Sequence, residues 1–201
     1  MARGRAPQQA VVAEPAGTER EVMEQRILEG ALRALGRHGS DKLRMNAVSA
    51  AAGVARGTVY RYFPTKTALL EALVGYERQR FAAALGTAVA EDPDGDRLEV
   101  VFRFVQGYLA GHPALQRLLD DEPGFVLAYL REQLPFLLRT TQRVAGGAIS
   151  RSEVVRTGVL SDADVVELLL HVLLANFLAP GPAPERVTNT FKALLGARAA
   201  R

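Results

Sequence analysis

The segment AVSAAAGVARGTVYRYFPTK, from Ala47 to Lys66, contains three aromatic residues and three cations but no acid. A packed core does not tolerate unpaired cations, because burying an unpaired charge is costly. A solvated helix, in turn, gains nothing from the aromatic rings. Gly53 divides the segment into two short predicted helices, about 45–52 and 56–63, and Pro64 ends the second. Two short helices joined by a glycine-containing turn are typical of a helix-turn-helix.

The second short helix has two chemically different faces. Val59 and Phe63 are four residues apart, so we expect both to face inward. Arginines on the opposite face can contact guanine edges or phosphates, and hydroxyl groups can donate to phosphate oxygens. No acid occurs between Asp41 and Glu71, as expected for a surface that meets a polyanion. The predicted DNA-binding residues here are Arg56, Gly57, Thr58, Tyr60, Arg61, Tyr62 and Lys66.

Charge is distributed unevenly along the 201 residues. Residues 1–66 contain eleven Lys and Arg against six Asp and Glu, whereas residues 67–201 contain fourteen against sixteen. A basic front joined to a mildly acidic rear indicates that one end of the molecule binds a polyanion. The alternative for this end is the solvated basic face of an ordinary helical bundle.

Several classes of site are disfavoured by composition. The chain has no cysteine, which rules out disulfides and thiolate metal ligands. Its three histidines lack metal-ligand spacing, and it has no phosphate-binding glycine loop or nucleophile elbow. We therefore expect no metal, no cofactor and no enzymatic activity. Since no stretch suits a signal peptide or a membrane span, we expect a cytoplasmic protein.

Helical periodicity and capping signals recur along the chain, and no strand alternation is evident, so we predict an all-α fold. Thr18, Thr65 and Ser161 are predicted helix N-caps. After the helix that starts at Lys66, we expect helices at about 96–111, 113–121, 124–150, 162–178 and 184–198. We predict a disordered arm (1–17), a helix-turn-helix domain (18–66) and a larger helical domain (67–201).

Residues 27–73 resemble the TetR family of bacterial transcriptional regulators. The most specific match is AAGVARGTVYRYFPTK, residues 51–66, which is similar to that family's recognition helix and following turn. The resemblance implies an N-terminal DNA-binding module followed by a variable helical domain that dimerises and holds a ligand pocket. It also implies residue roles: phosphate contacts at Thr58, Tyr60, Tyr62 and Lys66, base contacts at Arg56 and Arg61, and Arg44 opening the first short helix against the DNA backbone.

Two positions depart from the family pattern. Ala55 stands where the family usually has Ser or Thr, which removes a side-chain cap worth about 1 kcal/mol. Arg44 stands where Thr is common, and it adds a charge.

Polar side chains interrupt apolar helices in the rear domain, which is typical of a ligand cavity but also of satisfied core or dimer-interface groups. The acidic run of residues 120–122 is interpreted as a solvated helix end, with cation binding as the alternative. The predicted ligand-pocket residues are Phe102, Gln106, Leu109, Tyr129, Gln133, Phe136, Leu137 and His171, with a structural role as the favoured interpretation of His171 taken alone.

The last two predicted helices are rich in large apolar residues, which favours pairing with a second copy into a four-helix bundle. The predicted dimer-interface residues are Leu168, Leu169, Leu173, Phe177, Phe191 and Leu195. These features predict a homodimeric repressor that binds a palindromic double-stranded DNA operator and an apolar small-molecule effector. The alternative is a helical small-molecule carrier or protein-interaction module without sequence-specific DNA binding.

Overall fold

The computed structural model describes residues 16–92, 97–151 and 153–179, together with 186, 187, 189–191 and 193. Within these ranges the chain forms helices and no strand, which confirms the all-α prediction. The helices are α1 (Ala16–His38), α2 (Met45–Ala52), α3 (Arg56–Tyr62), α4 (Lys66–Glu91), α5 (Arg97–Ala110), α6 (Pro113–Asp121), α7 (Pro123–Ile149), α8 (Glu153–Arg156) and α9 (Asp162–Leu178).

Two of the three predicted N-caps are confirmed. The Thr65 hydroxyl accepts a hydrogen bond from the Ala68 amide at 3.0 Å, and Ser161 forms a reciprocal capping box with Asp164. The predicted cap at Thr18 is wrong, because α1 begins two residues earlier at Ala16, directly after Pro15 in the sequence. Residues 16 and 17, assigned to the disordered arm, are therefore helical. The short helix α8 was not predicted.

Helices α1 and α2 cross with almost no space between their backbones. A Cβ atom on Gly30 would lie 2.6 Å from the Ala52 Cβ and 2.7 Å from the Ala52 Cα. Arg26 of α1 donates through Nε to the Ala52 carbonyl at 2.9 Å, and Arg33 donates through Nη2 to the Ala51 carbonyl at 3.0 Å. These two guanidiniums stabilise the carboxyl end of α2, where unpaired carbonyls carry partial negative charge.

Helix α4 connects two hydrophobic cores. Its first half contributes Leu69 and Leu73 to the core built from α1, α2 and α3, which also takes in side chains of α6 and α7. Its second half contributes Phe81 and Leu85 to the core formed with α5, α7 and α9. With 26 residues, α4 is about 39 Å long. The domain boundary between residues 66 and 67 stays a prediction, since α4 takes part in both cores.

Three of the residues predicted for the dimer interface are buried within a single chain. Leu169, Leu173 and Phe191 are at most 5 % exposed within a single chain, where they pack in the second core. Their side chains pack inside one chain, and a role for them at a dimer interface stays a prediction. Leu168 is 44 % exposed and Phe177 is partly buried, so both keep surface for a partner. Leu195 lies outside the described residues.

Candidate nucleic-acid interface and effector site

The hydrophobic side of α3 is anchored as its spacing predicts. Val59 is fully buried and Phe63 is 5 % exposed, and both belong to the first core. Gly53 has the positive φ of 65° that ends α2 and turns the chain towards α3. No side chain caps the first turn of α3 at Ala55, as the departure from the family pattern predicts.

The opposite side of α3 is a cationic and aromatic surface, which we call the recognition face. Its members are the exposed Arg56, Gly57, Tyr60 and Arg61, and the half-buried Thr58 and Tyr62. The Arg56 guanidinium lies 5.3 Å from the Tyr60 ring centroid, and its Nη2 is 3.4 Å from the Tyr60 hydroxyl. Such stacking holds a guanidinium in place without neutralising its charge.

Tyr62 is less outward-facing than predicted. Its ring packs against the first core, with the guanidiniums of Arg20 and Arg61 at 5.8 and 5.6 Å from its centroid. Arg20, at the exposed start of α1, extends the basic surface and was missed by sequence reasoning. The contact between Arg20 and Tyr62 joins residues that are 42 positions apart in the sequence. Helical periodicity does not reveal a contact over this separation. Arg44 is exposed at the N-cap position of α2.

Lys66, which is predicted to contact a phosphate, also forms a hydrogen bond within the chain. Its Nζ donates to the Ser40 carbonyl at 2.7 Å, and the side chain is half-buried. The ammonium therefore fixes the turn between α1 and α2 to the first residue of α4. Two further N–H bonds of the ammonium are available to other acceptors.

Ser40 also joins the front of the molecule to α6 and α7, a link that we call the Ser40 clasp. The Ser40 amide donates to both carboxylate oxygens of Glu122, at 3.0 and 3.1 Å, and its hydroxyl donates to Glu122 Oε2. Gly39 has φ of 77°, and a Cβ there would lie 2.2 Å from Glu122 Oε1. Glu122 is thus a half-buried structural acceptor, so the solvated interpretation of residues 120–122 is wrong at this position.

Two clefts open beside α4. The first, the apolar cleft, has a volume of about 290 Å³ and lies between α1, α4, α6 and α7. The second, the inner cleft, has about 50 Å³ and lies mainly between α4, α5, α7 and α9. The inner cleft brings together five of the eight predicted pocket residues: Leu109, Tyr129, Gln133, Phe136 and Leu137.

The other three predicted pocket residues lie elsewhere. Phe102 is 2 % exposed in the second core, where its ring is 6.3 Å from that of Phe191. His171 is exposed on α9, and its Nδ1 is 2.8 Å from the Glu167 carbonyl. Gln106 lines none of the clefts described, although its buried Nε2 has no hydrogen-bond partner among the described residues. Phe102 and His171 line neither of these clefts, and their place in a ligand pocket stays a prediction.

A buried carboxylate between the two clefts was missed by sequence reasoning. Glu77 is 8 % exposed, and its oxygens meet His112 Nε2 at 2.9 Å, the Tyr108 hydroxyl at 3.1 Å and Arg80 Nη1 at 3.2 Å. It lines both clefts. The sequence does contain a signal for this buried carboxylate. Glu77 interrupts a row of apolar residues that recur every four positions along α4.

These contacts determine the direction in which the pKa of the Glu77 carboxyl group is shifted. Burial raises the pKa of Glu77, but hydrogen bonds from His112 and Tyr108 and the charges of His112 and Arg80 outweigh burial and leave it below its ordinary value. Burial, together with the charge of Glu77, raises the pKa of Tyr129 to about 12. At neutral pH Glu77 is therefore ionised and Tyr129 is neutral.

The described ranges contain neither a membrane-spanning helix nor a cluster of metal ligands. None of their helices is both long and apolar enough to cross a membrane. No cluster of three or more metal-ligating side chains occurs among the same residues.

Comparisons with known proteins agree with the helix-turn-helix geometry. Residues 27–73 match the family model described as bacterial regulatory proteins, tetR family. The chain is 29 % identical over 163 residues to the HTH-type transcriptional repressor Rv1474c of Mycobacterium tuberculosis, covering 80 % of this chain and 84 % of that protein. It is 43 % identical over 58 residues to the HTH-type transcriptional repressor KstR of Mycolicibacterium smegmatis, covering 29 % and 28 % of the two chains.

Among solved structures, the fold is similar to FadR from Bacillus subtilis in complex with stearoyl-CoA. The TM-score is 0.61 at 16 % identity, and the match covers 87 % of this chain and 99 % of that one. The family model spans the residues that form α2, α3 and the start of α4. Residues 27–73 therefore form a DNA-binding domain of the tetR family of bacterial regulatory proteins, and the chain is a DNA-binding transcriptional regulator rather than an enzyme.

Proposed function

We propose that this regulator is a homodimeric, ligand-responsive repressor that binds a roughly palindromic operator through the recognition face. The observation that carries the proposal is the arrangement of α3, in which Val59 and Phe63 are buried while Arg56, Tyr60 and Arg61 are exposed. An exposed cationic face on a helix held rigidly from behind is suited to a DNA major groove.

Within this proposal the contacts divide by chemistry. Arg56 and Arg61 read base edges, because an arginine fork can pair with the two acceptors of guanine. Thr58, Tyr60 and Lys66 contact phosphates, and Arg44 approaches the backbone at the start of α2. Tyr62, which is half-buried, offers a phosphate less surface than the exposed Tyr60. Phosphate contacts fix the register of the protein, and base contacts supply its sequence preference.

The proposed dimer uses the surface of α9 that remains open in a single chain. Leu168 is 44 % exposed although it is a large apolar residue. Two-fold pairing through this face would repeat each recognition face once, so the operator would carry two related half-sites.

The proposed effector binds at the clefts beside α4. The apolar cleft touches α1 and α4, which belong to the first core, and also α6 and α7. Ligand-bound relatives by fold exist, since the Bacillus subtilis FadR structure contains stearoyl-CoA. A molecule that enters the apolar cleft would separate helices that the Ser40 clasp otherwise ties together.

The Ser40 clasp supplies a route from the clefts to the DNA. Glu122 follows the last residue of α6, Ser40 precedes α2, and Lys66 opens α4. Displacement of α6 would therefore move both Ser40 and the start of α4, and with them the orientation of α3. An effector that prefers the displaced state by about 1–3 kcal/mol would change operator affinity enough to regulate transcription.

Selection of bound sequences from a pool of random DNA duplexes tests this function. We expect the full chain to enrich an inverted repeat with half-sites about one helical turn apart and to prefer it over random DNA by about 10³-fold or more. Enrichment of a single half-site would contradict the homodimer. Absence of any enriched sequence would contradict sequence-specific regulation.

A further inference from the structure

A third cleft, which we call the arginine cleft, opens between α1, α4, α5 and the start of α6. Its volume is about 410 Å³, and Arg33, Arg37 and Arg80 line it. No carboxylate is among its lining residues. Three cations around one concave surface without an acid in the wall attract anions.

The three guanidiniums keep hydrogen-bonding capacity. Arg33 donates to the Ala51 carbonyl and has a carboxylate oxygen of Glu29 only at 4.0 Å. Arg80 gives one bond to Glu77, and half of its side chain is exposed. Arg37 is exposed and forms no ion pair with any residue in the described ranges. Since each guanidinium has five N–H donors, several remain free to bind an anion.

Glycines keep the arginine cleft open. Gly107 and Gly111 lie four residues apart and present only backbone to the cleft. A Cβ on Gly107 would meet no atom within 4 Å, so close packing does not require glycine there. Because glycine within a helix costs about 1 kcal/mol relative to alanine, Gly107 in α5 lowers stability while it preserves empty space.

The arginine cleft adjoins the apolar cleft. Leu32, His112 and Ala114 line both. A molecule with a charged group at the arginines could therefore extend an apolar portion along Leu32 and Ala114. The two neighbouring clefts together match an amphiphile with one anionic end.

We propose that the arginine cleft binds the phosphate or carboxylate group of an anionic amphiphile, whose apolar part occupies the adjoining apolar cleft. This inference rests on the proposed ligand-responsive function and specifies the chemical class of the effector. Arg37 contributes more free donors than either of the other two arginines, and Gly107 provides the space.

Calorimetric titration of the full chain with three probes tests the inference: decyl phosphate, decyltrimethylammonium and inorganic phosphate. Binding to the wild type is compared with Arg37→Glu, which reverses one charge of the cleft, and with Gly107→Leu, which fills it. Gly86→Leu is the matched control, because Gly86 is an exposed glycine of α4 whose Cβ would also meet no atom within 4 Å. Unfolding curves establish that each variant is folded.

We expect decyl phosphate to bind the wild type and Gly86→Leu equally, and Arg37→Glu about tenfold or more weakly. Gly107→Leu should abolish this binding, and inorganic phosphate should bind more weakly than decyl phosphate because it lacks the apolar part. Equal binding of decyltrimethylammonium, no binding of decyl phosphate, or binding unchanged in both cleft variants would overturn the inference.

Operator affinity measured with and without decyl phosphate separates this inference from the proposed function. If the probe fails to bind while the chain still selects its DNA sequence, the arginine cleft is not an effector site but the regulator stands. If the probe binds as expected and leaves DNA affinity unchanged, the site stands and the proposed response to a ligand is wrong.

Discussion

The variant Gly30→Ala is expected to lose about 2–3 kcal/mol of unfolding free energy, although alanine is normally the better helix former. The added methyl would lie 2.6 Å from the Ala52 Cβ and 2.7 Å from two backbone atoms of the same residue. Backbone atoms cannot move aside as a flexible side chain can. Helices α1 and α2 would have to separate, which would also break the bonds from Arg26 to the end of α2.

Gly86→Ala is the matched control for this substitution. Gly86 lies within α4, is exposed, and has open space around its Cβ position. Here the same change should stabilise the protein by up to about 1 kcal/mol. Urea unfolding followed by circular dichroism measures both variants. Two shifts of the same sign would show that the close approach of α1 and α2 does not limit stability.

The second large effect is expected at the recognition face. Replacing Arg61 with alanine should reduce affinity for the selected operator by about 1–3 kcal/mol for each recognition face, and affinity for random DNA much less. The physical reason is that a base contact is lost at every half-site while phosphate contacts remain. Fluorescence anisotropy with both duplexes measures the two affinities. Arg131→Ala, at an exposed arginine of α7, is the control and should bind like the wild type.

Lys66→Ala distinguishes a phosphate contact from a structural role in the same assay. If Lys66 contacts a phosphate, binding to both duplexes should weaken, and the slope of log affinity against log salt should fall by about one. If its ammonium serves only the Ser40 carbonyl, stability should fall while the salt slope stays unchanged. For Arg61→Ala, in contrast, equal losses of affinity for the operator and for random DNA would contradict the assignment of Arg61 as a base contact.

Local pattern was sufficient to predict the helix-turn-helix. Val59 and Phe63 repeat at helical spacing, Gly53 and Pro64 mark the helix ends, and the acid-free run marks the outer face. Each of these signals lies within a few residues of the structure that it predicts. Helix ends elsewhere followed from Thr65 and Ser161 for the same reason.

Features that depend on distant parts of the chain could not be read in this way. The Ser40 clasp joins residues 82 positions apart, so no periodic signal contains it. Sequence pattern could not separate dimer-interface residues from core residues, because α9 is apolar around most of its circumference. Helical periodicity then does not distinguish the face of α9 that packs in the core of the same chain from a face that meets a partner. Leu169 and Leu173 are buried in that core. Phe102, which is predicted to line a pocket, is likewise buried in the second core.

The most direct test of the central claim is site-specific crosslinking from the start of α3 to DNA. The chain contains no cysteine, so Ala55→Cys can carry a single photoactivatable label at an exposed position one residue before α3. Val159→Cys, at a position 60 % exposed after α8, serves as the control. We predict that the label at position 55 crosslinks symmetrically to both half-sites of the selected duplex, whereas the label at position 159 does not. Failure of position 55 to crosslink to DNA that the labelled protein binds would contradict the account.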